Sequence, residues 1–160
     1  MLDIRLICVG KLKEDFYKKA CMEYQKRLCA YCRIETVELA EAMIPERPSA
    51  AQIGGALSRE GASVLGAIPA GAYVTALCVE GRQMDSAAFA RHIGETAARG
   101  GSRMCFVIGG SNGLSDAVKA RADCKLSLSE MTLPHHLARV VVLEQLYRAF
   151  NINAGGRYHK

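Results

Sequence analysis

Two stretches in the second half of the chain carry residue types suited to holding a small ligand. Gly109-Gly110-Ser111-Asn112-Gly113 follows directly on the apolar run Met104 to Ile108. Its glycines allow close approach of a ligand to backbone, but it matches neither G-x-G-x-x-G nor a phosphate loop ending in lysine and serine or threonine. An ordinary tight turn, with Asn112-Gly113 accepting a positive φ, explains it equally well. The second stretch, Ser129-Glu130-Met131-Thr132-Leu133-Pro134, places backbone donors and acceptors beside apolar side chains, with no lysine to neutralise a triphosphate. That chemistry suits an adenine and a methionine-like group. An irregular helix entry with Thr132 as its N-cap is the plain alternative.

His135 and His136 open the helix that follows, where the positive end of the dipole favours neutral imidazole. Neighbouring helical positions point about 100° apart, so the two rings cannot grip one metal as an i, i+4 pair does. His135 is the better candidate for a substrate contact. Arg139 and Arg148 lie further along, and Glu144 stands four residues before Arg148, the spacing of an ordinary helical pair. The sequence closes on Arg157, Tyr158, His159 and Lys160. A tyrosine can stack on a base and the cations can meet phosphates or base edges, but this segment alone reads equally as a frayed terminus. Cys29-Ala-Tyr-Cys32 has redox spacing, yet it falls at the end of a helix, where the dipole raises a thiol pKa.

The elements that must position these residues alternate. Ile4 to Val9 is a strand closed by Gly10, and Phe16, Tyr17, Ala20, Cys21, Tyr24 and Leu28 recur at helical spacing. Ile34 to Leu39 is a second strand, and Glu41 to Pro48 a loop. Ser49 and Gln52 form a capping-box pattern before a helix through Ile53, Leu57, Val64 and Ile68, interrupted by Gly61. Tyr73 to Val79 is a third strand closed by Glu80-Gly81, and a helix over residues 86–98 buries Phe89, Ile93 and Ala97. Met104 to Ile108, a short helix over 115–122 and a strand from Lys125 to Leu128 complete the alternation. Pro134 then stands in the first turn of the last helix.

Strands separated by helices imply a mainly parallel sheet covered on both faces, with ligands bound at the carboxyl ends of its strands. Here those ends are Val79 to Gly81, Gly109 to Gly113 and Ser129 to Leu133. In the last helix Val140, Leu143, Tyr147 and Phe150 form one apolar stripe, which Leu137, Val141, Val142 and Leu146 widen past one core-facing arc. A second subunit would bury the surplus, as would a central place within one subunit.

At 160 residues the chain is read as one domain, 1–160, with a core that needs no staple. A net charge of +5 permits a nucleic-acid partner without requiring one. From Arg139 onward the cations Arg139, Arg148, Arg157 and Lys160 face a single acid, Glu144. The seven cysteines are an odd number, mostly within apolar runs, which fits packed free thiols in a reducing compartment. The opening Met1-Leu2-Asp3-Ile4-Arg5 has no basic leader, and no apolar run approaches a membrane span. A cytoplasmic protein with neither membrane nor metal partner is expected.

Taken together, FVIGGSNGLS (106–115), LSLSEMTLPHHLARVVVLEQLYRAF (126–150), the closing YHK and the opening ICVGKLKEDFYKKACMEYQKRL resemble the RlmH family of SPOUT methyltransferases over essentially the whole chain. The resemblance implies an α/β fold with a SPOUT-type parallel sheet flanked by helices and a C-terminal trefoil knot, an exception to the usual rule against knots. It further implies a homodimer that uses S-adenosylmethionine to methylate N3 of a pseudouridine in large-subunit ribosomal RNA, on the assembled ribosome. Carried onto this sequence, the cofactor contacts are Leu77, Gly109, Gly110, Leu128, Ser129, Glu130, Met131, Thr132, Leu133 and Pro134. His135, Arg139, Tyr158 and His159 are the catalytic or RNA-facing positions, with the tail reaching the partner's pocket. Glu130 departs from the basic or small residue of related sequences. Rival readings are a SPOUT enzyme with another RNA target, a non-catalytic nucleotide- or RNA-binding module, and a thiol oxidoreductase using Cys29 and Cys32.

Overall fold

The structure is a computed structural model and describes residues 1–159; Lys160, the last residue of the tail, lies outside the described residues. The strands are β1 (Leu2–Val9), β2 (Cys32–Leu39), β3 (Tyr73–Arg82), β4 (Arg103–Ile108) and β5 (Cys124–Leu126). The helices are α1 (Asp15–Leu28), α2 (Ala50–Ala67), α3 (Ser86–Ala98), α4 (Asp116–Arg121) and α5 (His135–Asn153). Every pairing is parallel, in the order β2-β1-β4-β3-β5. Successive side chains of a strand point to opposite faces. Ile4, Leu6, Cys8, Phe106 and Ile108 therefore meet α1, α3 and α5, while Ile7, Val9, Val74, Ala76, Cys105 and Val107 meet α2, α4 and Leu114. This is the layered arrangement expected of strands that alternate with helices. No helix among the described residues is long and apolar enough to cross a membrane.

Several boundaries differ from those expected, each for a local reason. β3 does not stop at Glu80-Gly81 but runs on to Arg82, and Leu126 pairs with both Leu77 and Arg82. The intervening Cys78 to Gly81 therefore arches past β5. Gly81 is required there, because a Cβ would stand 2.5 Å from the Leu126 carbonyl carbon and 2.7 Å from that of Lys125. β5 accordingly ends at Leu126, and the amide of Ser127 donates to the Arg82 carbonyl at 3.0 Å. Gly61 does not interrupt α2: it is buried within it and packs on Ser115, whose Oγ would lie 2.3 Å from an added Cβ. The Ser49–Gln52 capping box forms as expected. In α3 Ala97 is exposed, and Ala90 and Thr96 take the inward positions beside Phe89 and Ile93.

Helix α5 lies between α1 and α3 over the sheet. Neighbours within the chain thus cover much of the apolar breadth that had suggested a second subunit. From His135 to Ile152 none of its residues is exposed, but Leu137, Val140, Val141, Tyr147 and Phe150 remain only half-buried.

All seven cysteines are free. Burial pushes the thiols of Cys8, Cys32 and Cys105 up to about 12. Cys29 is exposed at the C-cap of α1 while Cys32 is buried, its Sγ 3.6 Å from the Leu28 carbonyl. Cys32 thus lacks both the thiolate character and the access that disulfide exchange needs. Iodoacetamide applied to the folded protein near pH 8 is expected to label Cys29 and to spare Cys8, Cys32 and Cys105, read by peptide mass spectrometry. Equal labelling of Cys32 would revive the redox reading.

Candidate ligand cavity and C-terminal tail

The carboxyl ends of β4, β3 and β5 lie side by side, and a cavity of about 470 Å³ opens there. Leu77 pairs in register with Ile108 on one side and Leu126 on the other, and all three line the cavity. The walls come from the three segments expected near the strand ends: Cys78 to Glu80 in the arched part of β3, Gly109 to Gly113 after β4, and Ser127 to Pro134 between β5 and α5. Of the ten residues expected at the cofactor, only Glu130 is not among the lining residues; it is exposed.

Each wall has a local cause. Gly113 has φ +80° and its amide donates to Gly110 O at 3.1 Å, so the Asn112-Gly113 turn forms as read. Gly109 has no room for a side chain, since a Cβ would stand 2.4 Å from the Gly113 oxygen. The Ser127 hydroxyl donates to the Ser129 carbonyl at 3.0 Å, and Ser129 Oγ accepts from the Met131 amide at 3.0 Å. Thr132 is exposed and caps nothing; Pro134 is itself the N-cap of α5, and no side chain satisfies that end.

The cavity's electrostatics favour a neutral or cationic ligand. Among the described residues Lys119 is the one lysine or arginine lining it, and its Nζ is held 2.5 Å from Glu80 Oε1. The hydrogen bond that it donates to Glu80 is the main reason the lysine is held above its ordinary range. With that cation engaged, nothing on the walls offsets a triphosphate, as the loop composition had suggested. The sequence places Glu80 at a strand end but gives no sign of Lys119, which lies on α4 and reaches the cavity only through the fold. At the rim Val79 and Met131 are left 77% and 78% exposed.

His135 lines the cavity and is half-buried. Its pKa is lowered first by burial and then by His136, while Glu41 opposes the shift. The shift favours the neutral imidazole expected, and burial is its leading cause. His136 turns toward α1, with Nδ1 3.5 Å from Glu14 and its ring against Tyr17. Among the described residues no group of three His, Cys, Asp or Glu side chains is arranged to hold a metal ion.

Arg139 requires a correction. Expected to face RNA, it is 2% exposed, with Nη1 2.6 Å from Glu38 Oε2 and Nη2 donating to the Gly10 carbonyl at 3.0 Å. It ties α5 to the ends of β1 and β2, and a charge so enclosed is not presented to a base. The tail also folds differently from a frayed end. Tyr158 stacks edge-on against Tyr147, lies under the Arg148 guanidinium at 4.5 Å, and donates its hydroxyl to Glu144 at 3.1 Å. Burial first, then hydrogen bonding with Tyr24 and Glu144, pushes this phenol up to about 12. It is therefore a donor at neutral pH, not a base. His159 Nδ1 lies 3.4 Å from Arg148 Nη1, and Glu144 and Arg148 form the helical pair expected, at 2.6 Å. At about 1.5 Å per residue, Tyr147 stands roughly 18 Å along α5 from His135. The tail in this conformation is therefore far from the cavity of its own chain.

Comparison with known proteins agrees with this arrangement. The family model described as predicted SPOUT methyltransferase matches residues 2–159. The ribosomal RNA large subunit methyltransferase H of Bacillus pumilus is 48% identical over 159 residues, covering 99% of this chain and 100% of the relative. The protein of the same name from Clostridioides difficile is 43% identical with the same coverage. Among solved structures, a probable methyltransferase from Bordetella pertussis superposes with a TM-score of 0.57 at 16% identity, over 92% of this chain and 95% of that one. A probable methylase family protein from Haemophilus influenzae gives a TM-score of 0.55 at 14% identity, over 98% and 70%. At such identities the structures speak for the fold alone, whereas the full-length sequence matches go further: the chain belongs to the RlmH family of SPOUT methyltransferases.

Proposed function

We propose that this protein transfers a methyl group from S-adenosylmethionine to large-subunit ribosomal RNA, at N3 of a pseudouridine, acting in the cytoplasm as a homodimer on the assembled ribosome. The observation that carries the reading is the cavity at the ends of β3, β4 and β5, whose lining includes nine of the ten residues named for the cofactor. Its volume lies within the range of about 300–1,000 Å³ typical of small-molecule sites. Its apolar floor, its glycine-lined wall and the lack of an unpaired cation among the described residues that line it fit an adenosine joined to a sulfonium. When bound, that group would supply an electrophilic methyl.

The chain's own share is alignment and proton removal. Leu77 and the backbone of Gly109, Gly110 and Leu128 to Pro134 would hold the donor, and His135, which lines the cavity, would meet the target. In-line alignment of this kind is worth on the order of 7–11 kcal/mol of a barrier. The N3 proton needs an acceptor, for which the tail's His159 is the candidate, with Tyr158 as a hydrogen-bond donor or stacking surface beside it. Because the tail packs far along α5 from its own cavity, it would complete the cavity of a second copy. Half-buried apolar residues on α5 and the bare rim at Val79 and Met131 offer surface for that copy. The trefoil knot belongs to the same proposal, supported by the way Cys78 to Gly81 arches past β5.

The test is incorporation of labelled methyl from S-adenosylmethionine into intact ribosomes compared with naked ribosomal RNA, followed by mapping of the nucleotide by mass spectrometry. Transfer to ribosomes at N3 of a pseudouridine is expected, with naked RNA a poor substrate. Transfer elsewhere would give the reading of a SPOUT enzyme with another target, and donor binding without transfer the reading of a binding module.

A further inference from the structure

Glu41 lies near the start of the irregular segment between β2 and α2 and belongs to none of the three segments that wall the cavity. Its carboxylate nevertheless crosses the ends of β1 and β4, and Oε1 accepts the backbone N–H of Ser111 at 2.9 Å. A Cβ on Gly110 would stand 2.8 Å from that same oxygen and 3.2 Å from Val9 Cγ1. The carboxylate is therefore packed directly against the loop's backbone, in space that glycine leaves open.

Glu41 is anchored in turn. The amide of the next residue, Ala42, donates to Glu60 Oε1 at 2.9 Å, and Glu60 is a carboxylate 6% exposed on α2. The residue after it, Gly61, packs on Ser115, the N-cap of α4 at the far end of the same glycine-rich loop. Helix α2 thus braces the loop at both ends, through Glu60 and Glu41 at Ser111 and through Gly61 at Ser115. A loop with Gly109, Gly110 and Gly113 loses more backbone freedom on ordering than one with side chains. Fixing it before ligand arrives lowers the cost of binding.

We propose that Glu41 is a positioning residue for the methyl-donor cavity, its carboxylate holding the glycine-rich loop in the conformation that accepts the donor. This rests on the functional reading above. The Ser111 amide is also the first cause that holds the Glu41 carboxyl below its ordinary range, with the nearby imidazoles adding to it. A charge-assisted hydrogen bond is roughly twice as strong as a neutral one. Glutamine, which keeps an oxygen acceptor but loses the charge, should therefore hold the loop less well than glutamate and better than alanine.

The experiment uses Glu41→Ala, Glu41→Gln and, as control from the same segment, the exposed Glu46→Ala. Amide hydrogen exchange at Ser111 is measured in the protein without ligand, and S-adenosylmethionine affinity by calorimetry. For Glu41→Ala, exchange at Ser111 is expected to rise about tenfold and Kd about tenfold, equivalent to ~1.4 kcal/mol. KM for the donor should rise while kcat stays within about twofold, since the clamp acts on binding before the reaction step. Glu41→Gln should fall between alanine and wild type on every measure, and Glu46→Ala should match wild type. Should the alanine variant not fold, the glutamine variant decides. A folded variant at position 41 with wild-type exchange at Ser111, or with wild-type Kd, would overturn the inference. A loss confined to kcat would do the same. Absence of binding by the wild-type protein would instead overturn the functional reading, an outcome kept distinct because exchange at Ser111 is read without ligand.

Discussion

Replacing His159 with alanine is expected to slow single-turnover methyl transfer on ribosomes by about 10² to 10⁴, the usual worth of a positioned general base, while leaving the affinity for S-adenosylmethionine unchanged. The separation follows from geometry. The cavity proposed for the donor lies at the ends of β3, β4 and β5 beside the start of α5, whereas His159 packs beside Arg148 toward the other end of that helix. Removing the imidazole touches no wall that its own chain gives the cavity. Mixing this variant with Gly109→Ala distinguishes tail action between copies from action within one. Gly109→Ala spoils the cavity, because its Cβ would press on the Gly113 carbonyl, but its tail is intact. If tails act across the dimer, mixed dimers recover transfer that neither variant has alone. No recovery in demonstrated mixed dimers would confine the tail to its own chain, and an unchanged rate for His159→Ala would remove it as the base.

The second large effect is on stability. Glu38→Ala should destabilise the fold by about 3–5 kcal/mol, the cost of stranding a buried charge whose partner has been removed. Arg139 cannot escape that cost by losing its proton; its side chain is only 3% exposed, and Nε already lacks a partner among the described residues. The reciprocal change, Arg139→Met, should cost less, about 2 kcal/mol for acceptors left without their donor, because the Glu38 side chain is 36% exposed and can turn to water. Urea unfolding followed by circular dichroism measures both, and an equal or reversed order would refute the argument.

The same pair sets a pH dependence. Burial pushes the Glu38 carboxyl up, but hydrogen bonds from Arg139 and the Leu12 amide, with the Arg139 charge, hold it below the ordinary value of 4.5. A carboxyl lowered in the folded state contributes stability above its unfolded pKa and loses it as pH falls through the folded one. The gap between wild type and Glu38→Ala should therefore narrow below about pH 4.5.

What the sequence made legible follows the range over which each signal acts. The capping box of Ser49 and Gln52, the turn at Asn112-Gly113 and the pair Glu144 with Arg148 are set by neighbours within a few residues, and each formed as read. The sheet was legible because strand and helix periods alternate. The loops at its carboxyl ends were findable by position, before their joint cavity was known. What failed depended on distant partners. Arg139 looked free because Glu38 is 101 residues away. Gly61 looked like a break because Ser115, which needs its bare Cα, lies on another helix. Glu80-Gly81 looked like a stop because nothing local shows that β5 lies against Gly81. Glu41 gave no signal, since its partner is an amide on another loop.

The arch of Cys78 to Gly81 past Leu126, with α5 laid over the sheet afterwards, also bears on the order in which the protein is made. As the chain is synthesised, β1 to β4 can pair while the face beneath α5 still exposes Leu6, Phe106 and Ile108. β5 must then pair with both Leu77 and Arg82 and so draw the arch, a long-range parallel pairing of the kind that forms slowly. Because Ser127 to Pro134 supply a wall of the cavity, ligand affinity appears only after that step. A ligand-binding signal during refolding should lag the gain of helix and sheet, and so would time the last event of folding rather than the first.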